Sequence, residues 1–376
     1  MVILNKCIRD YFGNYSATFT VGNIRKYLSP NSNLLLSYCN YSSLKKSLHI
    51  PILVHQIADF LQPEKCTVLI DMTFGSGGHT RKLLERSKNV KIFCLDRDPL
   101  AFEYAKSLQK EYPKQIIPLQ GKFSDLPELL KIHGYRQNSI DGILFDFGCS
   151  SMQLDDPKRG FVLSKDGPLD MRMDGERSGG ITAADVLATA SEFDLQKIFK
   201  IYGEELHARK IAKSIVETRF SFKPLRRTIE LRELIISLFA DQFRRDQFGR
   251  YSHVCTKIGQ ALRIFVNNEL NEINHAIILA HRYLKIGGIM VTLSCNSLED
   301  TIVKRHVTGN TTENVTDHLP LKFYSFNTLF QPENLKELQK CEWKLMTKHV
   351  ITPSMYEMDI NPRSRSAKLR ASIKIE

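Results

Sequence analysis

The chain has 376 residues, 42% hydrophobic and 25% charged, enough for a core of one large or two medium domains, and carries a formal net charge of +12. That charge favours a polyanionic partner such as nucleic acid. Eight cysteines with no C-x-x-C pair argue against a zinc knuckle and a secreted disulfide framework, and no apolar run approaches the roughly 18 residues of a membrane span, so no membrane partner is expected.

Residues 1–48 hold six Lys or Arg (Lys6, Arg9, Arg25, Lys26, Lys45, Lys46) against Asp10 and are rich in Ser, Asn and Tyr. This bias is that of a mitochondrial targeting segment, with a disordered basic arm as the alternative. His49-Ile-Pro51 leads into an apolar-periodic helix to about Leu61, and Thr67 to Met72 reads as the first buried strand. Asp71 then opens a glycine loop, Gly75-Ser-Gly77-Gly78-His79, that runs into a helix over Arg81 to Arg86. Such a loop lets backbone approach a ligand at a helix start, but Thr80 stands where a dinucleotide fingerprint needs its third glycine.

A second strand, Val90 to Leu95, ends at Asp96-Arg97-Asp98-Pro99. The carboxylate of Asp96 is placed to bind ribose hydroxyls, while Asp98 before Pro99 suits a helix N-cap. A helix from about Leu100 to Glu111 follows, then a strand near Gln115 to Leu119, and Gly121-Lys-Phe123-Ser124 opens another helix. Ile143 to Phe145 forms the fourth strand, with Asp146 at its carboxyl end, where ligands collect in open α/β sheets. This β-α alternation predicts a parallel sheet.

From about Asp155 to Arg250 the alternation gives way to helical patterns at 182–190, 192–201, 204–219 and 228–243. Between 206 and 250 eleven Lys or Arg face five acids, which suits either a phosphate backbone or a solvated helix surface. One long helix is expected over 256–284, with Arg263 and Glu269 on its polar faces as either surface charges or inter-domain contacts, before Gly287-Gly288 and a fifth strand from Ile289 to Ser294. Asn310 to His318 reads as a surface loop. The tail from Asp359 carries five Lys or Arg and serves either as a phosphate contact or as an edge strand. Asp146-Phe147-Gly148 matches a kinase metal-binding tripeptide, but no H-R-D loop accompanies it.

Over residues 49–376 the chain resembles the RsmH (MraW) family of S-adenosylmethionine-dependent methyltransferases, which modify N4 of a cytidine in small-subunit ribosomal RNA. The resemblance is carried by the glycine loop from Asp71, the acidic turn at Asp96, Gly121 to Ser124, Ser150 to Phe161, Gly167 to Asp174, Tyr202 to Glu205, Gln260 to Ile264, Ser297 to Asp300 and Asn361 to Arg370. It implies a Rossmann-like class I methyltransferase sheet, made by residues 49–154 and 251–376, with an inserted helical domain at 155–250 for RNA recognition. In the cofactor site it places Gly77, Gly78 and His79 on S-adenosyl-L-methionine, Asp96 on its ribose, Phe123 beside its adenine, and Asp146 and Gln153 completing the pocket.

Direct in-line methyl transfer without a metal is the implied reaction. Asp146 is the first catalytic candidate and Asp170 the second, with pairing of Asp170 to Arg172 or a loop N–H as the structural alternative. The target base must be unstacked to enter such a pocket. The basic N-terminal segment points to the mitochondrial branch of the family, acting in the matrix on small-subunit rRNA or the assembling subunit; a homodimer is compatible with this. Departures from the family pattern are Cys149 for valine, Cys295 and Asn296 for phenylalanine and histidine, Thr301 for arginine, and His253 to Gly259 for H-P-A-T-R-T-F. They raise the alternative of a catalytically weak, RNA-binding assembly factor.

Overall fold

A computed structural model describes residues 51–221, 224–239, 244–245, 251–252, 254–309 and 342–375. The basic segment 1–48, His253 and the 310–318 stretch lie outside the described residues. Four β-α steps come first: α1 (Val54–Leu61), β1 (Val68–Asp71), α2 (Gly78–Arg86), β2 (Lys91–Asp96), α3 (Pro99–Glu111), β3 (Ile116–Gln120), α4 (Leu126–Ile132) and β4 (Ile140–Asp146). After the short α5 (Ser151–Asp155) come four helices, α6 (Ala183–Thr189), α7 (Glu192–Ile201), α8 (Ala208–Ser221) and α9 (Thr228–Phe239), and a two-stranded ladder of β5 (Arg244–Arg245) and β6 (Tyr251–Ser252). The chain then returns through α10 (Val254–Asn267), α11 (Glu269–Tyr283), β7 (Leu284–Ser294), α12 (Ser297–Val307), β8 (Trp343–Leu345), α13 (Met355–Ile360) and β9 (Lys368–Lys374).

The main sheet has seven strands in the order β3-β2-β1-β4-β7-β9-β8. The five from β3 to β7 are parallel; β9 runs antiparallel to β7, and β8 antiparallel to β9. Strand order reverses between β1 and β4, so their carboxyl ends, Asp71 and Asp146, open onto the crevice where such sheets bind ligands. Apolar runs suit these strands because both faces are covered: Ile70, Phe93, Ile143 and Phe145 pack into one core with α11 and α12, and Leu69, Ile92, Leu144 and Val291 into another with α1 to α3. A third core, from Leu163 to Leu262, joins α6 to α10.

Three expectations change. The long helix over 256–284 is two helices, broken at Asn268, whose φ of 51° is left-handed; apolar spacing continues across the break and hides it. Arg263 and Glu269, on either side of that break, form a buried ion pair (Nε to Oε1 2.9 Å, Nη2 to Oε2 3.0 Å), which decides the choice the pattern left open against free surface charges. The basic tail forms β9, paired on both sides by β7 and β8, so it is an interior strand and not an edge. Among the described residues no helix is long and apolar enough to cross a membrane.

Candidate active site

The glycine loop is fixed by its own backbone. Met72 N–H donates to Leu144 O (2.9 Å), Phe74 N–H to Leu95 O (3.1 Å) and Gly77 N–H to Phe74 O (2.8 Å), tying the loop to both neighbouring strands. Gly77 has φ 82°, and a Cβ there would lie 2.6 Å from the Phe74 ring, so only glycine fits. It leads into α2 with no side-chain cap, which leaves first-turn N–H groups available to an anion. Gly78 and His79, the first residues of α2, line the cavity, and Gly77, the N-cap before them, is outside the lining.

His79 is held by its ring: Nε2 lies 3.0 Å from Ile52 O, and because a carbonyl only accepts, Nε2 carries the proton. This leaves Nδ1 facing Asp146 Oδ2 at 3.9 Å. Asp146 is fixed at the end of β4 by its N–H, which donates to Thr73 Oγ1 (2.6 Å), and its carboxylate lines the cavity. Burial pushes its carboxyl up to about 6; the His79 ring pulls it down, and the Asp71 carboxylate pushes it further up. Asp71 itself is buried, accepts from Thr80 Oγ1 (2.7 Å) and Thr73 N–H (3.1 Å), and is raised chiefly by desolvation.

At the end of β2, Asp96 accepts from Gly75 N–H (2.8 Å) through Oδ2 and from Asp98 N–H (2.9 Å) through Oδ1. Each oxygen keeps a lone pair for a ribose hydroxyl, and the side chain is part of the cavity wall. Burial raises its carboxyl to about 6, against the lowering by those two N–H groups. Asp98 caps α3, as its place before Pro99 suggests, accepting from Leu100 N–H (2.9 Å). Phe123 lies in a short turn with its ring edge-on to Phe145 and Phe147 (centroids 5.9 and 6.2 Å), making a half-buried aromatic wall of the cavity.

Gln153 also lines the cavity, but its amide is engaged: Nε2 donates to Asp98 Oδ2 (2.8 Å) and Oε1 accepts from Ser150 N–H (3.0 Å) in the capping box of α5. It therefore positions the acidic turn. Asp170 is not part of the cavity lining; its two oxygens take a fork from Arg172 (Nε and Nη2, 2.8 Å each).

Sequence reasoning missed several groups that the fold brings to the site. Arg263 reaches Cys149 Sγ (3.1 Å) and Glu299 Oε1 (3.5 Å) as well as Glu269, binding the loop after β4 to α11 and α12. Burial pushes Glu299 up to about 7 despite that guanidinium, and it also keeps the Cys149 thiol neutral. Glu272 accepts from Ser124 N–H (3.1 Å) and Oγ (3.0 Å), which fixes the turn that presents Phe123. Glu269 and Glu272 line the cavity from the first turn of α11, just after the break at Asn268 that the periodicity hides.

The uncapped α2 terminus, the Asp96 carboxylate and the Phe123 wall thus fit a ligand with an anionic group, a ribose and a base. A Culex quinquefasciatus protein named receptor-type tyrosine-protein phosphatase mosPTP-1 is 53% identical over 87% of this chain, which spans 22% of that protein. Its name therefore carries nothing over. A Drosophila melanogaster protein named as a methyltransferase-like protein 15 homolog is 48% identical over 93% of this chain and 99% of its own length. The 12S rRNA N(4)-cytidine methyltransferase METTL15 of Mus musculus is 45% identical over 89% of this chain and 86% of its own. A match to the MraW methylase family over residues 46–375 agrees with the chemistry of the cavity lining: the chain belongs to that family and is an S-adenosylmethionine-dependent methyltransferase.

Proposed function

We propose that the chain methylates N4 of a cytidine in mitochondrial small-subunit rRNA, in the matrix, as naked RNA or in the assembling subunit. The observation that carries this reading is Asp146: a carboxylate at the sheet's switch point, in one cavity with the ribose-type acceptor Asp96. The 12S rRNA specificity of the mouse relative supports the substrate class.

S-adenosylmethionine, when bound, supplies an activated methyl group with its own leaving group. Gly77 and Gly78 at the α2 terminus, Asp96 and Phe123 would hold it, with His79 and Gln153 fixing the loops around it. The work left to this chain is orientation, because the cytosine amine is a weak nucleophile with its lone pair drawn into the ring. Asp146, ionised above about pH 6, accepts a hydrogen bond from the amine N–H and holds it in line. A carboxyl near 6 also suits brief custody of the proton the amine releases before water takes it. Asp170, forked onto Arg172, keeps the acceptor-side loop in shape.

The helices of 155–250 are the proposed RNA-recognition insert. The test is incubation with labelled S-adenosylmethionine and 12S rRNA: label in N4-methylcytidine that disappears with Asp146→Ala supports the reading. Cofactor binding without transfer to RNA or particles would favour an assembly factor instead.

A further inference from the structure

A continuous set of polar contacts links Asp96, on the ribose side of the cavity, to a second lining residue, Met173, and methyl transfer does not itself use it. Asp98 N–H donates to Asp96 Oδ1 (2.9 Å), and the same Asp98, almost fully buried, receives Arg159 Nη1 on Oδ2 (2.8 Å). The other end of Arg159 donates through Nη2 to the carbonyls of Arg172 (3.0 Å) and Met173 (2.8 Å). Met173 lines the cavity. A second arm runs beside the first: Arg97 donates to Asp174 Oδ2 (2.9 Å) and Asn267 O (3.1 Å), and Asn267 in turn receives Met173 N–H (2.8 Å) and donates to Met171 O (2.7 Å).

Between these arms the backbone is strained. Met171, fully buried, sits at φ 63°, a left-handed conformation unfavourable for a residue with a side chain, and is held there by its neighbours. A segment kept in a costly conformation by contacts to the cofactor turn is suited to respond when that turn is loaded.

We propose that the clamp couples the two ligand sites: cofactor on Asp96 sets, through Asp98 and Arg159, the position of the Met173 wall against which the target base docks. Arg159 is then a positioning residue, and cofactor strengthens RNA binding. The proposal rests on the rRNA reading above.

The test measures the Kd of transcribed 12S rRNA for the full chain, with and without saturating S-adenosylhomocysteine, in the wild type, Arg159→Met, Arg159→Lys and Asp174→Asn. The wild type should bind RNA at least about fivefold tighter with the nucleoside present, and by linkage RNA should tighten the nucleoside by the same factor. In Arg159→Met that factor should fall below about twofold, while nucleoside affinity without RNA changes little. Arg159→Lys, which retains the bond to Asp98 but loses the fork to two carbonyls, should fall between. Should Arg159→Met fail to fold, Asp174→Asn opens the second arm alone and must also lower the factor. A purely structural clamp would lower melting temperature and leave the factor unmoved. RNA affinity indifferent to the nucleoside in the wild type, or a factor kept by the folded variants, overturns the proposal alone; no RNA binding in either condition overturns it together with the rRNA reading.

Discussion

Asp146→Asn should separate stability from activity. The side chain is about the same size, and the backbone N–H bond to Thr73 Oγ1 does not depend on the carboxylate, so the change mainly removes a charge from a site that desolvates it. A carboxyl held at about 6 in place of its ordinary 3.8 carries about 3 kcal/mol of unfavourable ionisation at pH 7.5, at about 1.4 kcal/mol for each tenfold shift. The sign follows from the direction: a pKa raised by folding costs stability above about 6, and the cost is relieved as pH falls toward 3.8. Urea unfolding at pH 7.5 should therefore find Asp146→Asn more stable by about 2–3 kcal/mol, a figure already net of the favourable His79 contact, and the gain should vanish near pH 4. Methyl transfer to 12S rRNA should drop by about 10²–10⁴-fold, because the amide cannot take up a proton and presents N–H where an acceptor is needed. Wild-type transfer should fall below about pH 6. A variant less stable than wild type at pH 7.5, or one within tenfold of its rate, would refute the assignment of Asp146.

Gly77→Ala places a Cβ 2.6 Å from the Phe74 ring at a φ of 82°, so calorimetry should find a loss of about 1–3 kcal/mol and weakened S-adenosylhomocysteine binding. Arg263→Met leaves Glu269 and Glu299 buried without their cation, and urea unfolding should find about 3–5 kcal/mol lost at pH 8, less near pH 6 where Glu299 takes up a proton. Deleting residues 1–45 should abolish mitochondrial accumulation of a tagged chain seen by microscopy, and unchanged import would remove that assignment.

The parts of the site written in local physics were legible in the sequence. Ile143 to Phe145 is apolar without alternation because β4 is covered on both faces, and Asp146 had to fall at its end. Asp98 before Pro99 announced a cap, which left Asp96 for a ligand. What stayed hidden depends on partners far along the chain. Lys368–Lys374 reads as a basic tail, yet Leu369 and Ala371 are buried between β7 and β8, Arg370 pairs with Asp300 (2.7 Å), and Lys374 Nζ donates to Leu284 O (3.0 Å) and Asn138 Oδ1 (2.7 Å). Its charges are those of an interior strand whose polar groups are matched by distant residues. Gln153 lines the cavity as expected, but the sequence did not show that its amide would also bond Asp98 and close the α5 cap.

The same distinction decides what the family departures mean. Asn296 stands at the end of β7, and its Oδ1 accepts from Leu298 N–H (2.9 Å) while Glu299 receives the Asn296 N–H (3.2 Å), a complete capping box for α12. A residue that keeps the cap keeps Glu299 in place, and with it the Arg263 bridge to the loop after Asp146. Cys295 is exposed, but desolvation at its thiol and the nearby carboxylates of Asp146 and Glu299 push that thiol up, so it adds no charge that would compete for the amine. Thr301 bonds the Ser297 carbonyl within α12 (2.8 Å), and Val254, Cys255 and Ile258 are packed in the helical core. Among the described residues, Cys149 is the departure that lines the cavity, and burial keeps its thiol neutral there. Apart from Cys149, the described departures therefore fall on scaffolding that this chain rebuilds with other side chains, and the carboxylates and glycines that would meet cofactor and amine stand intact, which weighs for a working methyltransferase over an assembly factor that has lost its chemistry.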